Sequence, residues 1–278
     1  MSPLVDPAFL VNRLNEPSLV VLDATYRLPS EARNAAAEFR AYHIPGARFF
    51  DIDQFADPAE AALPHMAPSP AVAGRLLRDL GINNDSQLVI YDQQGLFSAP
   101  RGWFLLRLFG HDQVSVLNGG LPGWIAAGLP VESAETPWTR GNFTPRYRPR
   151  LLRGFGDMLD NLATGSELVL DARSAARFHA QVPEPRPGLA GGHIPGSRNL
   201  PFADLLTDGG AMKPAPALRE LFAAAGATSD RPVVTSCGSG VSAAVLALGM
   251  VVAGLPPGAL YDGSWSEWGS RPEAPIEV

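Results

Sequence analysis

One pattern occurs twice in this chain, and that repetition constrains the fold more than any other feature. SLVVLDATYRL at 18–28 resembles ELVLDARSAARF at 167–178, and EFRAYHIPGARFFDI at 38–52 resembles GGHIPGSRNLPF at 191–202. QLVIYDQQG at 87–95 resembles PVVTSCGSG at 232–240, and SVLNGGLPGWIAAGLPV at 115–131 resembles ALYDGSWSEWGS at 259–270. Four landmarks recurring in one order mean a duplicated domain. The 278 residues suit two domains within the usual size range. We place an N-terminal domain at 1–135, a linker at 136–150 and a C-terminal domain at 151–278. The stretch 132–150, ESAETPWTRGNFTPRYRPR, is rich in Pro, Thr and Arg and lacks either amphipathic period, as a linker would.

Within each copy, short β-branched runs alternate with helical stretches. In the second, 168–171 reads as a strand and SAARFHA as the start of a helix; 216–226 is a helix ending at Gly226. PVVTS is a strand, VSAAVLALGMVVAG a helix closed by Gly254, and GALYDG a strand. Continuous apolar strands separated by helices predict an α/β fold: in each domain a mainly parallel sheet with helices on both faces. Ligands of such sheets sit beyond the carboxyl ends of the strands, often at a helix N-terminus.

Composition removes several function classes. A net charge of −6 gives no electrostatic case for nucleic acid. A single cysteine excludes an intrachain disulfide and any multi-cysteine metal site, and it fits a reducing, cytoplasmic setting. The N-terminal residues have neither the basic nor the apolar region of a signal peptide. The longest apolar run, 243–255, is too short for a membrane span and contains Gly249 and Gly254.

That one cysteine, Cys237, stands where the strand VVTS ends and GSGVSAA leads into a helix. Glycines let the backbone fold back so that several N–H groups converge, and the helix N-terminus adds positive potential. A thiolate is favoured there and is a nucleophile. Ser239 and Ser242 suit helix caps or hydrogen bonds to sulfur. Other readings compete. A lone cysteine is often a small buried hydrophobe. The run 238–243 matches G-x-G-x-x-A, yet only 35 residues follow Ala243, too few for the rest of a dinucleotide-binding domain. A cysteine phosphatase needs an arginine six positions after its nucleophile, where this chain has Ala243.

Two tandem copies, HIPG in each and one CGSGVSA loop in the second resemble the rhodanese superfamily of sulfurtransferases, and the likeness runs from about Val20 to Trp268. The loop, with PEPRPGLAGGHIPGSRNLPF at 183–202 and YDGSWSEWG at 261–269, is similar to the branch that uses 3-mercaptopyruvate. Gly238 and Ser239 are neutral where thiosulfate-using relatives more often carry basic residues. The resemblance implies two rhodanese-like domains, the first non-catalytic with Asp92 at the cysteine position. It implies a Cys237 persulfide, loaded by a small sulfur donor and discharged to cyanide, a small thiol or a thioredoxin-like acceptor, without metal or organic cofactor. By the same resemblance Arg177 and Arg186 bind the donor's carboxylate and carbonyl, and Ser239 relays a proton. The loop residues Gly238, Gly240, Val241 and Ser242 cradle the sulfur. His43 resembles a histidine near the reacting sulfur, although its repeat mate His193 leaves a shared structural role open. A thiosulfate donor and a non-enzymatic binding module are the alternatives; a monomer without membrane association is expected.

Overall fold

The structure is a computed structural model describing residues 1–60 and 62–278. Two compact units emerge. One comprises 1–57, 67–148 and 207–212; the other comprises 58–66, 149–206 and 213–278. The expected boundaries therefore need one refinement: each half of the sequence lends a short segment to the other unit.

In the first unit the order is β1 (Leu4–Val5), α1 (Pro7–Val11), β2 (Leu19–Asp23), α2 (Ala35–Ala41), β3 (Arg48–Phe49), α3 (Pro70–Asp79), β4 (Gln87–Tyr91), α4 (Ala99–Leu108), β5 (Val114–Leu117) and α5 (Gly120–Ala126). The second runs β6 (Leu152–Arg153), α6 (Phe155–Thr164), β7 (Leu168–Asp171), α7 (Ala175–Phe178), β8 (Arg198–Asn199), α8 (Ala215–Ala224), β9 (Val233–Ser236), α9 (Ala243–Ala253), β10 (Ala259–Tyr261) and α10 (Ser264–Trp268). Each unit holds one five-stranded sheet, ordered β1-β5-β4-β2-β3 and β6-β10-β9-β7-β8, and every pairing is parallel. The two orders are the same order, which is the repeat written in topology. Every residue of β2, β7 and β9 is buried, so both faces of these strands are covered, as uninterrupted apolar runs require.

Trp124 anchors the core of the first unit, and Trp265 and Trp268 that of the second; none is exposed. Gly254 closes α9 at φ +79°, the left-handed geometry that favours glycine. The stretch SAARFHA makes only the four residues of α7, because Ala180 turns left-handed at φ +52° two residues past its end. The linker is not a free tether. Its main chain bonds into the first unit, from Gly141 to Arg78, Phe143 to Ile82, Arg146 to Phe109 and Arg148 to Leu108.

Candidate active site

The second unit puts Cys237 directly after β9, 2% exposed, with α9 beginning six residues later. Two elements fix the loop. The N-terminus of α10 reaches across: Trp265 N–H donates to the Cys237 carbonyl (3.0 Å), and Ser266 N–H and Oγ both donate to that of Gly238 (2.8 and 2.7 Å). Ser264, held at φ +48°, accepts from Cys237 N–H (3.2 Å) and donates to the Tyr261 carbonyl (2.8 Å). Gly240 has φ +77°, so the loop can double back there. Among the described residues, the backbone N–H groups of 238–242 donate to no protein acceptor, although most of this loop is buried. Buried amides of that kind are costly unless something accepts from them.

The first unit shows what such a loop holds. Asp92, at the end of β4, turns its carboxylate back into its own loop. Oδ1 accepts from Gln94 N–H (2.9 Å), and Oδ2 from the N–H groups of Phe97, Ser98 and Ala99 (2.9, 2.9 and 2.8 Å). Four amides close on one anion. The cysteine in the other copy sits at the same place on an equivalent strand, with its amides unclaimed.

Around Cys237 three cationic side chains gather. Arg177, on α7, brings Nη2 to 3.1 Å of where a Cβ on Gly238 would lie, and Arg186 brings Nη1 to 3.9 Å. The missing side chain at 238 makes room for the Arg177 guanidinium; Arg186 would stand at ordinary contact distance from a Cβ there. Arg186 Nη2 also donates to Ser239 Oγ at 3.4 Å. Behind them Arg173 is fully buried, paired with Asp171 (2.7 Å) and Glu184 (2.8 Å), and stacked on the Trp265 ring with 4.2 Å to its centroid. Burial opposes its charge, but the two carboxylates more than offset that and raise its pKa. Glu184 in turn grips Arg177, Oε2 to Nη2 at 2.5 Å and Oε1 to Nε at 3.3 Å.

Ser242 stands at the N-cap of α9 without a side-chain cap bond, so its expected capping role is absent. Ser239 does not cap either: its hydroxyl faces His65 Nδ1 at 2.9 Å. Sequence reasoning missed His65. It is buried, has φ +64°, and lies in 58–66, which the first half supplies to this unit. A left-handed non-glycine residue is a sparsely populated state that clusters at functional sites. One signal was available in the letters: His43 and His193 are repeat mates, whereas His65 has none.

His43 had two readings, and its surroundings favour the structural one. Its ring is fully buried, stacked on Phe39 (4.1 Å between centroids), with Nδ1 2.7 Å from the Phe39 carbonyl. His193 stacks on Phe178 (3.8 Å) with Nδ1 3.0 Å from that carbonyl. Both histidines pair through their main chains with a glutamate, Glu132 or Glu277, whose carboxylate takes the N–H of the motif's glycine, Gly46 or Gly196. The unit with a cysteine and the unit without one thus share one geometry at this histidine, which is what a structural role in the turn requires. The aspartates ending β2 and β7 hold groups near their strand ends: Asp23 binds Thr25 and Gln93, and Asp171 binds Arg173.

Among the described residues no three His, Cys, Asp or Glu side chains form a metal-binding group, and no helix is long and apolar enough to cross a membrane.

A seat of unclaimed amides beside one cysteine, on a duplicated parallel sheet, defines a class. The chain belongs to the rhodanese family: the Rhodanese-like domain matches residues 6–127 and again 155–271. It is 42% identical over 270 residues to a 3-mercaptopyruvate sulfurtransferase of Escherichia coli K12, covering 97% of this chain and 95% of that one. It is 38% identical to an Arabidopsis thaliana mitochondrial thiosulfate/3-mercaptopyruvate sulfurtransferase, over 99% of this chain and 78% of the relative. A crystal structure of an E. coli 3-mercaptopyruvate sulfotransferase with the rhodanese fold superposes with a TM-score of 0.87 at 38% identity, covering 95% of this chain and 99% of the other.

Proposed function

We propose that this chain is a sulfurtransferase that takes sulfur from 3-mercaptopyruvate, carries it as a persulfide on Cys237 and gives it to cyanide or a thiol, releasing pyruvate. The observation that carries this reading is the unclaimed amide seat around Cys237, beside Arg177 and Arg186. Asp92 supports it by filling the corresponding seat of the first unit with an anion.

The Cys237 thiolate attacks the donor sulfur. The S–S bond forms as the donor C–S bond breaks, and the electron pair leaves as the enolate of pyruvate. The thiol proton of the donor ends on the enolate carbon, so thiolate and mercaptopyruvate give persulfide and pyruvate with charge conserved. Ser239, bonded to His65, is the group we assign to carry that proton. Arg177 and Arg186 hold the donor's carboxylate and carbonyl. Cyanide then takes the outer sulfur, returning the Cys237 thiolate and thiocyanate. One sulfur atom links the two halves, so the kinetics are ping-pong.

The charges favour a monoanionic donor. Arg173 and Arg177 are matched by Asp171 and Glu184, whereas among the described residues Arg186 has no carboxylate within ion-pair distance. One positive charge is left for one donor carboxylate; thiosulfate carries two charges and no carbonyl. The chain acts as a monomer, and a reducing compartment keeps its cysteine ready.

Thiocyanate formation measured with each donor separately tests this reading. We expect kcat/KM for mercaptopyruvate to exceed that for thiosulfate by about tenfold or more, equivalent to about 1.4 kcal/mol. Cys237→Ser should stay folded and transfer nothing. A preference for thiosulfate would overturn the donor; transfer without Cys237 would overturn the mechanism; no transfer from either donor would leave a binding module.

A further inference from the structure

Glu184 has a peculiar position for an acid. It is buried in a site meant for anions, two residues before Arg186, with its side chain 2% exposed. An uncompensated carboxylate there would repel the donor. It is compensated: one oxygen meets Arg173, and the pair together brace the Nε–Nη2 edge of Arg177. Arg173 cannot yield, because Asp171, the Gly192 carbonyl (2.8 Å) and the Trp265 ring hold it from its other sides. Trp265 in turn donates its backbone N–H to the Cys237 carbonyl. A rigid chain of contacts thus runs from Asp171 through Arg173 and Glu184 to Arg177, and is tied through Trp265 to the nucleophile's own loop.

A guanidinium has two forked edges. With Nε and one Nη2 hydrogen committed to Glu184, the Nη1–Nη2 end of Arg177, whose Nη2 lies nearer Gly238, remains for a ligand. We propose that Glu184 is a positioning residue that sets donor specificity: by occupying one edge of Arg177 it aims the other so that a planar keto acid fits and a tetrahedral dianion does not. This inference rests on the sulfurtransferase reading and adds to it a residue that never touches the donor.

The sign of its effect separates positioning from simple charge. Removing a negative charge from an anion site strengthens anion binding if charge alone matters. If Glu184 aims Arg177, its loss weakens binding of mercaptopyruvate although the site becomes more positive. The test is steady-state kinetics of the full chain with mercaptopyruvate and with thiosulfate, comparing wild type, Glu184→Gln and Glu184→Asp. Thermal denaturation and near-ultraviolet circular dichroism check each fold. Glu184→Asp keeps the charge but withdraws the carboxylate by about 1.5 Å. We expect KM for mercaptopyruvate to rise about tenfold or more in both variants, the size of a lost charged hydrogen bond, with kcat changed far less. KM for thiosulfate should fall or hold in Glu184→Gln, so the donor preference collapses. An unchanged or lower KM for mercaptopyruvate overturns the proposal, as do equal rises for both donors. Should Glu184→Gln fail to fold, Glu184→Asp decides alone. If the wild type takes sulfur from neither donor, the sulfurtransferase reading fails before any variant is compared, and this inference fails with it.

Discussion

Cleaving the donor moves a proton from sulfur to carbon, and among the described residues the only imidazole bonded to the loop hydroxyl is that of His65. His65→Asn should therefore lower kcat for mercaptopyruvate by about a hundredfold, the ordinary worth of a positioned acid–base group. His43→Asn should leave kcat near wild type and show its effect in stability, because it loses the stacked contact with Phe39. A matched loss of kcat in both variants would sink that division of roles. Gly238→Ala makes a second residue-scale prediction. The new methyl meets only guanidinium tips, which swing away cheaply, so the melting temperature should hold while KM for mercaptopyruvate rises severalfold. A melting temperature several degrees lower with unchanged KM would contradict it. The sequence pointed to Cys237 through its loop and to Ser239, Arg177 and Arg186 through the family resemblance, and the structure brings these residues to one loop. His65 was not legible, because the crossing of 58–66 into the second unit is a tertiary fact without a local pattern.

At the scale of elements, strands and glycine-capped helices were legible because periodicity and caps are local. Less visible was the fixing of the linker, which depends on partners far away in sequence. Arg140 pairs with Asp79 (2.7 Å) and Arg148 with Asp112 (2.6 Å). The hydrogen bond from Arg140 lowers the Asp79 pKa, and that from Arg148 lowers the Asp112 pKa. A lowered carboxyl pKa gives stability that is present above the ordinary aspartate value of about 3.9 and is lost as pH falls through the folded value. Acid should thus release the linker. Pepsin digestion stepped downward from about pH 4 should show cleavage within 136–148 rising ahead of global unfolding; cleavage independent of pH would mean the ion pairs do not hold this segment.

For the whole molecule, the duplicated topology was fully written in the sequence, but the reason for Asp92 was not. Noting that it stands at the cysteine position says nothing of what the carboxylate does. Four amides depend on it. Asp92→Ala strands them in a buried loop and should cost about 3 kcal/mol of stability by urea denaturation. A loss below about 1 kcal/mol would show that water serves the seat as well. In terms of what a position tolerates, residue 92 must return an acceptor to four amides, whatever its copy does with sulfur. Drift at position 92 is then confined to side chains that return an acceptor to the loop. Strong conservation there would record a folding demand, which a reader who takes invariance for chemistry would mistake for an active site.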